Sequence, residues 1–544
     1  MNWQSYTMVR LTIPFILGMV MANFCLPLFP LSMSVLLTIL CALLAILLVT
    51  QPQGSPLSAT KGFGCAVMLF AFFSGMTLFV RSYRNVSWNV GYEDTPCFSG
   101  IIIDNPHKKA RTWSVKVRTG NGKIILAHIA RDSAEMSCIF SAGDSICFKA
   151  KYLQDTSPLH LPVLSGNLTD SMKNVSEQYR KYLFYNGISA TCYIPKNSCS
   201  ITPIPLSEKS VATRIRMLQG KTVAAYAHAG IEDDAAAVIG TMTSGHKAGL
   251  SKELKEKYSR SGVSHVLALS GFHLTVIYTF LEIILLGRIF RNRFNIVVRA
   301  IIMAVLWLFT IMAGLPPSLV RAALMCSFMI LSALFGRPAL TLNSCALAAM
   351  AMLSLRPLIL FDVGFQLSFI AMTSICVCGK RLCMLCPSRR ILFRYIWDII
   401  AINLACTLFT APIVGLYFQY LPIFSLFSNL TISILASLAL YVAALWWILC
   451  WWEGVREWLT GILQWTAQMM NAIADWVSSS GYAVIHWCPS VFEVLALYGV
   501  MTFLLLFVKD KSSRNLIYML CAMVLFCVIM ILRKTGCMPD TWRI

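Results

Sequence analysis

The sequence has few charged residues, because Asp, Glu, Lys and Arg together make up 13% of its 544 residues while hydrophobic residues make up 57%. Soluble globular domains carry about 25% charged residues, so this scarcity excludes that class. Acidic residues are the scarcer kind, with 24 against 45 basic ones and a formal net charge of +21. The excess suits a membrane protein with basic cytoplasmic loops, and it also suits a polyanionic partner.

Motifs for several kinds of chemistry are also missing. The eight histidines form no His-x-His-x-Asp-His cluster, so no metal site of that type is expected. Gly220-Lys221-Thr222 resembles the end of a phosphate-binding loop, but Ile215 stands where that motif needs its first Gly. We therefore predict no ATPase site and no cofactor. No small-residue cleavage site follows the first apolar run, so the N-terminal runs are expected to be anchors and not a signal peptide.

Long apolar runs dominate what is present. Roughly ten of them reach the ~20 residues that cross a bilayer, which predicts a polytopic α-helical membrane protein. Residues 1–84 hold three such runs, Leu11 to Phe29, Leu31 to Thr50 and Gly62 to Val80. By the positive-inside rule, three basic clusters are expected in the cytoplasm, at Arg288–Arg299, Lys380–Arg394 and Lys509–Arg514. Counting crossings from these clusters puts residues 85–220 on the outside.

Residues 85–170 follow the three N-terminal helices, and within residues 95–155 the pattern changes to a period of two that is typical of half-buried strands. Trp113, Val115 and Val117 alternate with polar residues. Asn121-Gly122 then predicts a hairpin, because a type I′ turn needs positive φ at both central positions. We predict a small external β-barrel of the OB type, which either binds single-stranded DNA or is a structural cap without a ligand. Its candidate DNA-binding residues are Lys108, Lys109, Arg111, Lys116, Arg118, Lys149 and Lys151.

Cysteines occur on both expected sides of the membrane. In the external part an oxidising compartment would permit disulfides, and short loops make Cys138–Cys147 and Cys192–Cys199 candidate pairs. Four further cysteines crowd a basic cytoplasmic segment with irregular spacing, which favours free thiols over a zinc site: Cys376, Cys378, Cys383 and Cys386.

The rest of the chain divides into three segments. Residues 171–261 are rich in charge and have both ends outside, which favours an external or interfacial linker with amphipathic helices. Residues 262–450 hold the largest group of apolar runs and are the candidate channel core. Residues 451–544 include the run Val455 to Val477, whose Trp residues and polar interruptions suit either an interfacial helix or a tilted span.

Polar side chains occur at the outer ends of the runs in residues 262–450. His265 and His273 share one sector of the run if it is a continuous helix. Arg321 lies one turn inside a later run, and Asp362 is its candidate ionic partner at a similar depth. Such groups either join helices or line a hydrated vestibule, and their common depth favours the vestibule. The candidate channel residues are His265, Ser270, His273, Arg321, Asp362, Gln366 and Ser368.

Three segments among these residues resemble motifs of the ComEC family of competence proteins. They are the Ser-Gly-x-His sequence at 270–273, the Gly-Leu-x-x-Ser-x-x-Arg-Ala sequence at 314–322 and the Gly-Phe-Gln-Leu-Ser-Phe sequence at 364–369. Their order is the order found in the family, and the segment from Ser176 to Pro195 is also similar. Three ordered matches are more specific than apolar composition alone.

The resemblance implies a channel in the bacterial inner membrane that passes single-stranded DNA into the cytoplasm during natural transformation. We expect no enzyme activity, with nuclease activity of the external domain left open. The candidate channel residues would line or support the pore, and the external domain would receive the strand. The implied partners are single-stranded DNA, membrane lipid, a periplasmic DNA receptor and a separate cytoplasmic motor or single-strand-binding protein, with self-association left open. Many members carry a metallo-β-lactamase-like domain, which is not expected here.

Two other functions are compatible with the same residues. A transporter of a small anion or a lipid headgroup could use the same vestibule, although no inverted repeat is visible. An intramembrane hydrolase could use Ser270 activated by His273. Positions three apart on one helix give poor geometry for that step, and no oxyanion donor can be named.

Overall fold

The structure is a computed structural model. It describes residues 6–25, 30–50, 56–88, 97–108, 112–130, 141–150, 152–158, 170–195, 198–205, 207–247, 249–285, 295–335, 340–386 and 390–534. The helices are α1 (Thr7–Cys25), α2 (Leu31–Thr50), α3 (Pro56–Val86), α4 (Asp170–Tyr185), α5 (Val211–His228), α6 (Asp233–Ser244), α7 (Lys252–Arg260), α8 (Ser264–Leu267), α9 (Gly271–Leu285), α10 (Asn295–Met312), α11 (Pro317–Leu334), α12 (Thr341–Leu355), α13 (Val363–Ser374), α14 (Lys380–Cys383), α15 (Ile391–Phe418), α16 (Ser425–Ile448), α17 (Glu453–Ser479), α18 (Val491–Asp510) and α19 (Ser513–Lys534). The strands are β1 (Cys97–Ile102), β2 (His107–Lys108), β3 (Thr112–Thr119), β4 (Ile124–Ala130), β5 (Ser145–Lys149), β6 (Tyr152–Asp155), β7 (Ala190–Ile194), β8 (Cys199–Thr202), β9 (Tyr420–Pro422) and β10 (Val484–His486).

Seven helical segments in the described ranges are long and apolar enough to cross a membrane. They are Thr7–Cys25, Gly62–Val86, Val363–Cys383, Phe393–Phe418, Ser425–Ile448, Val491–Asp510 and Ser513–Arg533. Shorter apolar stretches occupy α2, α9, α10, α11 and α12. These helices support the predicted class of a polytopic helical membrane protein. The chain divides into two compact units, one of Met1–Thr222 with Leu285–Phe365 and one of Val223–Ile284 with Gln366–Ile544.

In the first unit, α1 and α3 approach each other at two glycines. A Cβ atom on Gly18 would overlap the carbonyl oxygen of Phe72, and one on Gly75 would overlap the carbonyl oxygen of Phe15. Small residues at a helix crossing let two backbones come close, and dispersion contacts then hold apolar helices together in lipid. The two helices therefore depend on both glycines for their packing.

Replacing Gly75 by Ala is expected to destabilise the protein by about 1–3 kcal/mol, the usual cost of overpacking. A Gly-to-Ala change inside a helix ordinarily stabilises it, by about 1 kcal/mol, so the expected change in stability at Gly75 has the opposite sign. Thermal unfolding in detergent measures the difference. Gly64 is the matched control, since it lies in the same helix with nothing within 4 Å of a Cβ atom. A Gly75→Ala variant as stable as Gly64→Ala would contradict the close crossing.

The first unit also contains the predicted β sheet, whose strand order is β6-β7-β4-β3-β1-β5-β8 with β2 paired to β3. All the pairs are antiparallel except β4 with β7. Apolar side chains of alternate positions, including Val115, Val117 and Ile146, form one core under the sheet. Burying each such side chain contributes about 1.5–3 kcal/mol.

Two details of the β prediction differ from the structure. The hairpin between β3 and β4 is confirmed, but only Gly122 has a positive φ, at 76°, so the turn is not of type I′. The four residues 120–123 between the strands give a longer loop that needs one left-handed position. The second difference is closure: among the described strands β6 and β8 do not pair, so the ladder is an open sheet and not a closed barrel. Alternation identifies the buried face of a strand, but it does not determine closure.

A buried ion pair fixes the segment before α5 to the start of β5. Lys209 Nζ lies 2.8 Å from Asp144 Oδ1, and the two side chains are 5% and 3% exposed. The ammonium also donates to Ser141 Oγ and the Ala142 carbonyl, while the carboxylate accepts from the N–H groups of Ser141 and Ile204. Because each charge has several partners, the pair meets the condition under which a buried ion pair is tolerated.

In the second unit, α17 packs against α16, α6 and α7. Asn471 accepts a hydrogen bond from the Tyr258 hydroxyl at 2.8 Å, and Asp475 pairs with Lys257 at 2.9 Å. Another face of α17 exposes Trp458, Trp465 and Trp476. This 27-residue helix is not among the seven candidate spans of the described residues.

The hairpin of α18 and α19, also in the second unit, contains a buried carboxylate. Glu493 is the third residue of α18, and its side chain accepts the backbone N–H of Ser490 at 2.7 Å while Ser490 Oγ accepts the N–H of Glu493. This reciprocal capping box satisfies two N–H groups at the helix end. Arg533 of α19 donates to the same carboxylate at 2.9 Å, which links the two helices.

Candidate functional site

The predicted histidine stripe is interrupted in the structure. The short helix α8 ends at Leu267, Ala268 is extended with ψ 120°, and α9 starts only at Gly271. His265 and His273 are therefore on different helices, and the prediction that one continuous helix carries both in one sector is wrong. The physical reason is that Ser270 precedes a new helix start, a position at which Ser is favoured over continuation of the helix.

Ser270 and His273 nevertheless form one local arrangement. His273 is fully buried, and its Nδ1 lies 3.2 Å from the Ser270 backbone nitrogen and 3.1 Å from Ser270 Oγ. A backbone N–H can only donate, so Nδ1 is the acceptor and the ring proton lies on Nε2. The contact resembles a capping box in which His takes the place of Glu.

This geometry favours a helix cap over a hydrolase. A general base must be free to take the hydroxyl proton of a nucleophile. Here Nδ1 already accepts the Ser270 N–H, so the hydroxyl and the backbone compete for the same lone pair.

Arg321 is a buried cation in α11 of the first unit, only 9% exposed. The turn before α11 requires left-handed backbone at Gly314, φ 84°, and Leu315, φ 57°. Gln219 stabilises the same turn, because its Nε2 donates to the Met312 carbonyl at 2.7 Å. The chain thus places a guanidinium inside an apolar helix, where a charge needs a polar neighbour or water.

Asp362 caps the N-terminus of α13. It follows a 3-10 turn at Pro357–Phe361, and its Oδ2 accepts the Phe365 N–H at 3.0 Å. Its carboxylate also bonds the side chain of Asn186, just after α4. A carboxylate at a helix N-terminus is stabilised by the helix dipole. The pairing of Asp362 with Arg321 stays a prediction.

Gln366 and Ser368 lie at half-buried positions in the first turns of α13, and they belong to the second unit with His265, Ser270 and His273. Each unit therefore contains part of the predicted channel set. The common vestibule stays a prediction.

The strand register brings part of the predicted basic set together. Arg118 pairs with Ile101, and Cys97 pairs with Lys149, so Lys116, Arg118 and Lys149 occupy the face opposite the apolar core. Lys116 forms an ion pair with Asp104 at 3.3 Å. Lys108 lies in β2, whereas Lys109, Arg111 and Lys151 lie outside the described residues.

Sequence reasoning missed an aromatic row on α4. The rings of Tyr179 and Tyr182 are stacked at 6.4 Å with an interplanar angle of 22°, and both side chains are about half exposed. Tyr185 stacks on Phe361 at 5.0 Å and 25°. The spacing of three residues in YRKYLFY was the available signal, since such residues share a helix face.

Among the described residues Cys192 is a thiol, so the candidate disulfide between Cys192 and Cys199 is not formed. Burial raises the pKa of the Cys192 thiol to about 12. Cys138 lies outside the described residues. Within the described ranges no group of three or more His, Cys, Asp or Glu side chains could hold a metal ion.

Comparison with known proteins gives two matches. Residues 242–512, which include all the candidate channel residues, match the family model described as Competence protein. The chain is 24% identical over 317 residues to ComE operon protein 3 of Bacillus subtilis (strain 168). That alignment covers 56% of this chain and 39% of the relative, so the match spans about two fifths of the relative's length. No solved structure matches.

Proposed function

Because residues 242–512 make this chain a member of the competence protein family, we propose that it acts in DNA uptake and conducts one DNA strand across a bacterial inner membrane into the cytoplasm. The family match is the observation that carries the proposal. The seven apolar helices supply the polytopic frame that such a channel needs.

The charges of the β domain, meaning strands β1–β8 with α4, support a polyanionic substrate. Arg118 and Lys149 lie on the solvent face of the sheet, where they would attract phosphates without regard to sequence. With the β domain outside the cytoplasm, as the basic loops favour, this face would receive the strand from a periplasmic DNA receptor.

The polar groups of the helices suit passage more than tight binding. The Arg321 guanidinium would attract a phosphate, and the hydrogen-bonding groups of Ser270, Gln366 and Ser368 would hold the strand weakly enough for it to leave. Asp362 is occupied by the α13 N-terminus, so its negative charge is partly offset. The energy for transport would come from a separate motor or from capture by a single-strand-binding protein.

The test is uptake of labelled DNA by cells that lack the protein and by cells complemented with wild type or variants. We expect no labelled single strands in the cytoplasm of the deletion strain and full recovery with wild type. Arg321→Gln should lower cytoplasmic strands roughly tenfold or more, since a hydrogen bond to a charged group contributes about 1.5–3 kcal/mol. Protein level and surface binding of DNA should not change.

Two control variants separate charge from structure. Arg321→Lys keeps the cation and should retain most of the uptake, while Arg299→Gln removes a partly exposed cation from α10 and should have little effect. Normal uptake in the complete deletion would reject the DNA channel. That outcome would favour transport of a small anion or lipid headgroup, which the same polar groups can serve.

A further inference from the structure

The exposed aromatic pair on α4 is not part of the candidate channel set. We propose that Tyr179 and Tyr182 form a stacking platform for unpaired nucleobases, an inference that rests on the proposed function in DNA uptake. Aromatic side chains bind single strands with little sequence preference, because every base has a π face that can stack. A transforming strand has arbitrary sequence, so a platform of this kind suits it.

The exposure of the two rings is the first reason. Tyr179 is 48% and Tyr182 is 53% exposed, although large aromatic residues ordinarily lose most of their surface on folding. Their near-parallel rings, 22° apart with centroids at 6.4 Å, form a short ladder on one helix face. The solvent-exposed ring surface is available to a planar ligand.

The rigidity of α4 is the second reason. Leu183 packs with Leu126 of β4 and with Ile188, which precedes β7, and the ring of Phe184 lies 4.7 Å from that of Tyr83. The next turn is held by the stacking of Tyr185 on Phe361. A platform on an ordered helix loses little conformational freedom when it binds, which favours affinity.

The neighbouring charges are the third reason. Arg180 and Lys181 lie between the two tyrosines in sequence and add positive charge to α4. Both are on other sides of the helix, where Arg180 donates to the Ser157 carbonyl at 3.3 Å and Lys181 pairs with Glu177 at 3.2 Å. Partial burial of Tyr182 and then the nearby Asp362 carboxylate raise the pKa of the Tyr182 phenol, so the ring stays neutral while about half of its surface remains exposed. A neutral base can lie beside a carboxylate, whereas a phosphate would be repelled.

The platform would also connect two parts of the first unit. Asn186, directly after α4, bonds Asp362 at the start of α13, a predicted channel helix. A strand stacked on Tyr182 would therefore lie next to a residue of the candidate channel set.

The test is binding of fluorescent oligonucleotides to the full chain in detergent, measured by anisotropy. Two single strands of equal length are compared, one of oligo-dT and one with abasic sites in place of every base. Wild type should prefer oligo-dT. The variant Tyr179→Ala with Tyr182→Ala should lose that preference, by about tenfold for each ring, while its affinity for the abasic strand is unchanged.

Two controls guard against a structural effect. Replacing both tyrosines by Phe keeps the rings and should keep the preference for bases. Tyr482→Ala removes a tyrosine that is 82% exposed elsewhere and should change nothing.

The outcomes distinguish this inference from the proposed function. If wild type binds both single strands equally, the platform is rejected and the uptake function stands; the tyrosines would then be anchors at the membrane interface, a common role of Tyr. If wild type binds neither strand, both the platform and the proposed contact with DNA are rejected.

Discussion

Replacing Lys209 by Met is expected to lower the stability of the β domain by about 3–5 kcal/mol, the cost of leaving a buried charge without its partner. Asp144 would remain 3% exposed with no cation, and its two N–H donors cannot replace a full charge. Thermal unfolding of the detergent-solubilised chain measures the loss, with the protease resistance of the β domain as the readout at each temperature. The double variant Asp144→Asn with Lys209→Met should be less destabilised than Lys209→Met alone, because it leaves no charge buried.

The same pair makes a signed prediction about pH. Burial alone would raise the pKa of Asp144. The hydrogen bonds from Lys209 and from the N–H groups of Ser141 and Ile204 together lower it by more, so the pKa lies below its ordinary value. A carboxyl group with a lowered folded pKa contributes stability that is complete above its unfolded pKa. That stability is lost as pH falls from about 4 toward the folded pKa. The double variant Asp144→Asn with Lys209→Met should lack this acid-dependent loss. If wild type and the double variant lose stability identically as pH falls, the role of the pair is contradicted.

Replacing Glu493 by Ala is expected to have the second large effect and to lower the free energy of unfolding by about 2–4 kcal/mol. The substitution removes the acceptor of the buried Ser490 N–H, and an unsatisfied buried donor costs about 1–3 kcal/mol. It also removes the link to Arg533 of α19, a partly exposed ion pair whose contribution is smaller. Thermal unfolding in detergent, together with protease cleavage at the loop between α18 and α19, reports on the hairpin.

Two variants separate these contributions. Glu493→Gln retains a carbonyl acceptor for the N-terminus of α18 and should recover about half of the loss. Arg533→Gln leaves the carboxylate at the positive end of the helix dipole, and the introduced amide, unlike the Met in Lys209→Met, can still donate a hydrogen bond to it. This change should therefore cost less than Glu493→Ala. The interpretation of Glu493 as a cap is rejected if Arg533→Gln is the more damaging change.

The sequence predicted the features that depend on local pattern. The alternation around Val115 and Val117 correctly gave β3, and Asn121-Gly122 correctly gave a hairpin. Barrel closure was not predictable in this way, because it depends on whether β6 and β8 meet, and the described strands leave them apart. The pairing of Asp144 with Lys209 links residues 65 positions apart, and nothing local in the sequence indicates such a partner.

The candidate site was predicted in part for the same reason. The burial of Arg321 agrees with its position one turn inside an apolar run. That prediction needed only the residue type and its place in the run. The break between α8 and α9 was missed because the apolar period through Leu267 and Leu269 favoured one helix. A helix start at Ser270 was the competing signal, and Asp362 likewise caps the start of α13. The channel role of both residues stays a prediction. Residue type alone does not separate a cap from a channel lining.

The sheet order has a consequence for how the β domain assembles. β7 lies between β4 and β6, and it is made after α4, whereas β8 is made last and completes the opposite edge beside β5. Until residue 194 has emerged, β4 and β6 each expose a row of unpaired backbone groups, which are the groups that promote aggregation. The parallel contact of β4 with β7 spans a long stretch of chain, and contacts of that kind form slowly. A chain interrupted between β6 and β7 would lack β8 as well, so β4, β5 and β6 would all have unpaired edges, and cellular quality control would act on the chain in that state.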